Sequence, residues 1–148
     1  MRVGPVSRTD MLPEPVAVGL SVRQPWAELI LSGRKTIEVR TWRTRYRGRL
    51  WLHAGRRVER EACEVYGFPN RQLAVGSLVG CVDVEDCFGF DEQTWQALSL
   101  EHLNLVPFEK RFVGWVLRNP RRIAPIPYRG ALGLMKIPLH LVGWNSRV

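Results

Sequence analysis

The chain has little with which to staple itself, hold a metal or cross a membrane. It carries only three cysteines, Cys63, Cys81 and Cys87, separated by 18 and 6 positions. That odd count fits neither a disulfide framework nor a Cys-x-x-Cys knuckle, so free thiols are expected. The three histidines, His53, His102 and His140, show no paired spacing, which argues against a metal site. No cofactor is expected either, because Gly76-x-x-x-Gly80 lacks the Lys-Ser/Thr of a phosphate loop. Ser21 and Ser77 have no histidine and carboxylate partners placed by the sequence, which leaves a serine hydrolase unsupported. No stretch approaches the roughly 18 apolar residues that would cross a bilayer. The first fifteen residues, with Arg2, Arg8, Asp10, Pro13 and Pro15, hold no apolar run of the signal-peptide kind. A soluble, cytoplasmic protein with no membrane partner is the expectation.

Lysine is equally scarce: nineteen of the 22 cations are arginine. Their placement says more than their number. Residues 34–60 hold ten basic groups against Glu38 and Glu59, which accounts for the whole net charge of +8. From Gln72 to Glu109 there are seven acids and no Lys or Arg, and from Lys110 to Arg129 there are six cations and no acid. A basic, acidic, basic order with aromatics among the arginines points to an anionic polymer or a nucleotide as partner, since each neutralised phosphate releases counterions. A solvated arginine-rich surface is the alternative reading. At 148 residues and 45% hydrophobic content the chain is the size of one domain with a core of its own. A flexible arm is expected over 1–15 and a single domain over 16–148.

Several short elements can be placed. Val16 to Val22 is apolar and β-branched, a buried strand. Pro25 suits the first turn of a helix to about Ser32, with Trp26, Leu29 and Ile30 on one face and Gly33 ending it in a left-handed conformation. Thr36 to Arg40 alternates: Ile37 and Val39 face one way, Glu38 and Arg40 the other. Residues 41–48 read as an arginine-rich loop. Arg49 to Ala54 alternates again, with Leu50 and Leu52 inward and Arg49, Trp51 and His53 on the polar face. A short helix is expected over Val58–Tyr66, a long strand with glycine bends over Ser77–Phe90, and a helix over Gln93–Leu98. A strand over Phe112–Leu117, a turn at Asn119-Pro120, an extended edge over Arg121–Tyr128 and a last strand over Ala131–Ile137 follow. Strands outnumber helices and no βαβ alternation runs through the chain, so a small mixed α+β barrel with short flanking helices is expected.

Candidate chemistry gathers in the first basic block. Glu38 and Arg40 point the same way, with Lys35 in the turn at the open end before them. A carboxylate between two cations can form a salt-bridge network, accept a hydrogen bond from a base edge, or act in proton transfer beside the lysine. At the Arg23-Gln24-Pro25-Trp26 corner Gln24 could read a base edge, and Trp26 is either core or a stacking surface. Trp42 and Trp51, interleaved with Arg43, Arg45 and Arg49, could stack on unpaired bases, or pack on arginines within the fold. Trp51, on the polar face, is the better candidate for exposure.

Five segments together resemble the ASCH domain, named for activating signal cointegrator homology: Leu20–Ala27 (LSVRQPWA), Gly33–Trp42 (GRKTIEVRTW), Arg47–Leu52 (RGRLWL), Gly76–Cys87 (GSLVGCVDVEDC) and Phe112–Pro120 (FVGWVLRNP). The resemblance spans about residues 16–138. It implies a PUA-like β-barrel with flanking helices, and a nucleic-acid cleft carried by Lys35, Glu38 and Arg40 with Gln24 and Trp26 at its edge. Small members of the family include an amidohydrolase of N4-acetylcytidine, which uses a lysine, a threonine and a glutamate, and a ribonuclease. Lys35 matches the hydrolase lysine, while Glu38 stands at its threonine position. The sequence therefore supports a nucleic-acid-binding domain, RNA or DNA, with Gln24, Trp26, Lys35, Glu38, Arg40, Trp42, Arg43, Arg45, Arg49 and Trp51 as contacts. An enzyme acting on RNA or modified nucleosides through Lys35 is the alternative, and the acidic 83–109 segment leaves room for a protein partner.

Overall fold

In the computed structural model the described residues are 16–68 and 72–143. The expected arm over 1–15 lies outside them. Six strands form one mixed sheet in the order β2-β5-β4-β3-β1-β6. They are β1 (Val16–Gln24), β2 (Ile37–Arg40), β3 (Gly48–Val58), β4 (Ser77–Gly89), β5 (Val113–Pro127) and β6 (Leu134–Pro138). Four short helices flank it: α1 (Trp26–Leu31), α2 (Arg60–Tyr66), α3 (Glu92–Ala97) and α4 (Ser99–His102). A 3₁₀ turn over Leu139–Val142 follows β6.

The architecture is mixed α+β, as expected, but the sheet is open. β2 and β6 are its two edges and do not pair with each other, so the barrel is corrected to a six-stranded sheet. Barrel closure depends on which edges meet, and alternation along single strands carries no information about that. β1 and β3 run parallel, with α1 and β2 between them in the chain, while the other neighbouring pairs are antiparallel.

Local signals placed most elements. Gly33 ends α1 with a φ of 83°. Asp91 caps α3 through a reciprocal pair with Thr94, its carboxylate accepting from the Thr94 N–H at 2.8 Å. β3 runs on to Val58, where a helix start was expected, and α2 begins at Arg60. The expected strand, turn and edge over 112–128 are one strand, β5, kinked where Asn119 takes a φ of 56°. Its prolines lie beyond the stretch that pairs with β2, so along that half β5 is an edge, as the sequence implied. Gly80 marks a register shift between β4 and β5, and a Cβ there would lie 2.3 Å from the Arg121 carbonyl oxygen.

Both faces of the sheet are covered. Leu20, Val22, Leu50, Leu52, Val82 and Trp115 pack with α1 on one side. Trp51, Leu78, Cys81, Met135 and Ile137 form a second cluster with β6 and the 3₁₀ turn on the other. Trp51 is therefore 5% exposed, which corrects its placement on an open polar face. A third cluster of Ile37, Phe90, Trp95 and Phe112 seats α3 at the β2 end.

The charge blocks become neighbours in the sheet. Basic β3, acidic β4 and basic β5 lie side by side. Asp83 faces Arg49 across the ladder and pairs with Arg121 at 3.1 Å, Glu85 meets Arg118 at 3.6 Å, and Asp86 meets Arg47 at 3.7 Å. Cross-strand opposite charges favour this register over its neighbours. Among the described residues no carboxylate pairs with Arg43, Arg45, Arg56, Arg57, Arg60 or Arg129. No helix among them is long and apolar enough to cross a membrane.

Candidate functional site

The turn after Gly33 determines what the first basic block can do. The Lys35 N–H donates to the Leu29 carbonyl and the Thr36 N–H to the Glu101 carbonyl, both at 2.9 Å, which draws the turn against α4. Lys35 is consequently 1% exposed. Its Nζ donates to the His102 carbonyl and to Asn104 Oδ1 at 2.8 Å, lies 3.7 Å from Glu38 Oε1, and sits 4.9 Å from the centre of the Trp26 ring. The sequence put this lysine at an open mouth; the structure seals it behind Glu38. Burial is the larger influence and lowers its pKa from 10.5 to about 8, with the Glu38 carboxylate opposing the shift. At neutral pH it is an ammonium with three acceptors around it.

β2 then carries Glu38 and Arg40 on one face, as its alternation predicts. Arg40 Nη1 donates to Glu38 Oε2 at 3.1 Å and lies 3.5 Å from the Ser21 carbonyl oxygen. Its guanidinium lies 5.9 Å from the Trp42 ring, and Trp42 meets Trp115 edge to face at 4.9 Å. Glu38 thus uses one oxygen on each cation; Arg40 lines the adjoining open space and Lys35 does not.

That space is a cleft of about 630 Å³ walled by Trp26, Glu38, Arg40 and Trp42 from the expected set. Ser21, Arg23, Glu59, Asn104, Arg111 and the loop Ala131–Gly133 complete it. Three arginines face two carboxylates there, and Leu132, wholly exposed, stands at the rim. Arg111 had a signal, since it belongs to the second basic block; Asn104 and Leu132 had none, because only the fold brings residues a hundred positions apart to one wall.

The remaining expected contacts lie elsewhere. Gln24 is 2% exposed and both ends of its amide are used within the fold, Nε2 donating to the Ala74 carbonyl and Oε1 accepting from the Glu28 N–H, each at 2.9 Å. The amide proposed to read a base edge is thus turned inward, as an amide buried in such a corner satisfies itself locally. Arg43 and Arg45 are exposed on the loop after the cleft but do not line it. Arg49 and Trp51 border a separate recess with Tyr46 and Asp83, away from Glu38. Trp26 resolves as core that shows one edge to the cleft, at 8% exposure.

One pairing was invisible in the sequence. Ser21 Oγ lies 3.0 Å from His53 Nδ1, and His53 Nε2 lies 2.7 Å from the Tyr128 carbonyl oxygen. A carbonyl only accepts, so Nε2 carries the proton and the Ser21 hydroxyl donates to Nδ1. The third member is a backbone carbonyl rather than a carboxylate, and the pair holds residues 128–130 against β3.

A family model described as ASCH domain matches residues 20–127. The chain is 31% identical over 132 residues to activating signal cointegrator 1 of Homo sapiens and 41% identical over 135 residues to that of Mus musculus. Each match takes in 80% of this chain but 22% of the relative, so the chain spans about a fifth of those proteins' length. The crystal structure of ASCH from Zymomonas mobilis is similar in fold, with a TM-score of 0.63 over 86% of this chain and 91% of that one, at 18% identity.

Proposed function

Because the chain belongs to the ASCH domain family, we propose that it binds nucleic acid, with the Glu38–Arg40 cleft taking a base or nucleotide and the arginine loop after it holding the backbone. The observation that carries this reading is the Arg40 guanidinium, bound to Glu38 and set beside Trp42 at the wall of an open cleft. Arg40, Arg23 and Arg111 offer donors to phosphate, Trp42 an aromatic surface, and Glu38 an acceptor for an amino group. Arg43 and Arg45, exposed and without a carboxylate partner among the described residues, extend the positive surface.

The test is fluorescence anisotropy with single-stranded RNA, single-stranded DNA and duplex DNA across a salt series. Affinity should fall steeply with salt, the log–log slope being roughly −0.9 per phosphate contact on duplex DNA and about −0.7 on single strands. Arg43→Glu with Arg45→Glu should weaken binding and flatten the slope. Binding that ignores salt, or survives this double substitution unchanged, refutes the reading.

A second reading, an enzyme acting on RNA or a modified nucleoside, has one observation in its favour: the Lys35 pKa of about 8. Against it, the Lys35 ammonium is enclosed by His102, Asn104 and Glu38 and does not border the cleft. Product from N4-acetylcytidine or RNA with wild type but not with Lys35→Met would favour catalysis. Equal turnover, or none, by both proteins removes it.

A further inference from the structure

Behind Ser21 lies a second recess, of about 660 Å³, that the cleft does not include. Ser21 borders both, its carbonyl toward Arg40 and its hydroxyl toward His53. Among the described residues, the charged groups lining the recess are Arg56, on β3, and Arg129, just past β5, and no carboxylate lines it. Neither arginine has a carboxylate partner among the described residues.

The recess is shaped by absent side chains. A Cβ on Gly76 would lie 3.2 Å from the Arg56 guanidinium carbon, so this glycine lets the guanidinium lie across the backbone at the recess wall. A Cβ on Gly130 would come within 2.7 Å of the His53 ring and 3.1 Å of Ser21 Oγ. His53, 3% exposed, in turn fixes the Tyr128 carbonyl and hence the chain that presents Arg129.

We propose that this recess is a second phosphate subsite, taking a backbone phosphate of the same nucleic-acid strand whose neighbouring nucleotide occupies the Glu38–Arg40 cleft. The inference rests on the nucleic-acid reading above. Two guanidinium groups with no carboxylate partner among the described residues can bind a phosphate without first giving up an internal ion pair. The volume is larger than a lone phosphate needs and suits a nucleotide with its sugar against Tyr128 and the glycine wall. The shared Ser21 wall makes the two recesses consecutive rather than independent sites.

The experiment compares wild type, Arg56→Gln with Arg129→Gln, and the charge-matched control Arg57→Gln with Arg60→Gln, whose arginines line neither recess. Anisotropy of labelled single-stranded RNA and of DNA of the same sequence is followed across a salt series, with inorganic phosphate as competitor. The recess variant should show a salt slope shallower by about 0.7, one phosphate contact on a single strand, while the control keeps the wild-type slope. RNA and DNA should shift alike, since the contact is to phosphate. Equal slopes for recess variant and control, with wild type binding normally, overturn the subsite and leave the cleft reading intact. Failure of wild type to bind any strand overturns both. Displacement by inorganic phosphate at low concentration would show a free-phosphate site and overturn the strand-subsite proposal. Should the double variant fold poorly, Arg129→Gln alone, on the connection between β5 and β6, must move the slope in the same direction by a smaller amount.

Discussion

Lys35→Met tests the most consequential difference between sequence and structure, a lysine expected at a cleft mouth and found sealed in the fold. Its folded pKa of about 8 against an ordinary 10.5 corresponds to about 3 kcal/mol at roughly 1.4 kcal/mol per pH unit. The sign follows from proton binding. Between the two values the unfolded chain holds the proton and the folded chain has released it, so stability rises with pH. Below pH 8 both states are protonated and the full penalty for burying the charge applies. The contribution should therefore climb by about 2 kcal/mol from pH 7 to pH 9.5 and level off above pH 10.5. Other groups titrate in this range: burial raises the Tyr46, Tyr66 and Cys81 pKa values, which lowers stability at alkaline pH. They act in both proteins, so the quantity to follow is the stability of wild type minus that of Lys35→Met. Urea unfolding at fixed ionic strength, monitored by tryptophan fluorescence from pH 7 to 9.5, measures it. A difference that stays flat would refute the buried-ammonium account and return Lys35 to the solvent. The absolute offset at one pH is not diagnostic, because methionine also leaves the His102 carbonyl and Asn104 without their donor.

Glu38→Gln should cost about 3–5 kcal/mol, since it strips a 6%-exposed carboxylate from two cations. The same change should move the Lys35-linked pH step lower still, because the carboxylate that holds that pKa up is gone; an unmoved step would mean the two groups are not coupled. Trp51→Ala should destabilise by about 3–5 kcal/mol in urea unfolding through the cavity it leaves beneath β6. Affinity for single-stranded RNA, measured where that variant is still folded, should remain that of wild type, and a large loss would restore Trp51 as a stacking surface.

Legibility in the sequence followed the range of the interaction. Elements set by neighbours in the chain were readable: α1 between Pro25 and Gly33, and β2, whose alternation put Glu38 and Arg40 on one side. Boundaries that depend on pairing were not. β3 continued past Ala54 because β1 offered it a further partner, Gln24 facing Val58, and β5 absorbed an expected turn because β4 paired with it on both sides of the kink at Asn119. Trp51 misled for a related reason. An amphipathic ring on a face rich in Arg and His reads as exposed until β6 and the 3₁₀ turn are known to cover that face.

The sequence alone determined that a basic block with an embedded Glu38–Arg40 pair would sit on one face of a strand that follows a short helix, and its motifs identified the family. These are local matters of side-chain order, turn residues and charge count. Tertiary structure decided which charges remain available. Laying acidic β4 between basic β3 and β5 matched Arg47, Arg118 and Arg121 with carboxylates and left Arg56 and Arg129 with none among the described residues. Folding the turn after Gly33 onto α4 took Lys35 out of solvent and lowered its pKa, whereas Arg40, two residues past Glu38 on the same strand, stayed at the wall of the cleft. A residue's charge is written in the chain, but its solvation and its partners are set by the elements packed around it.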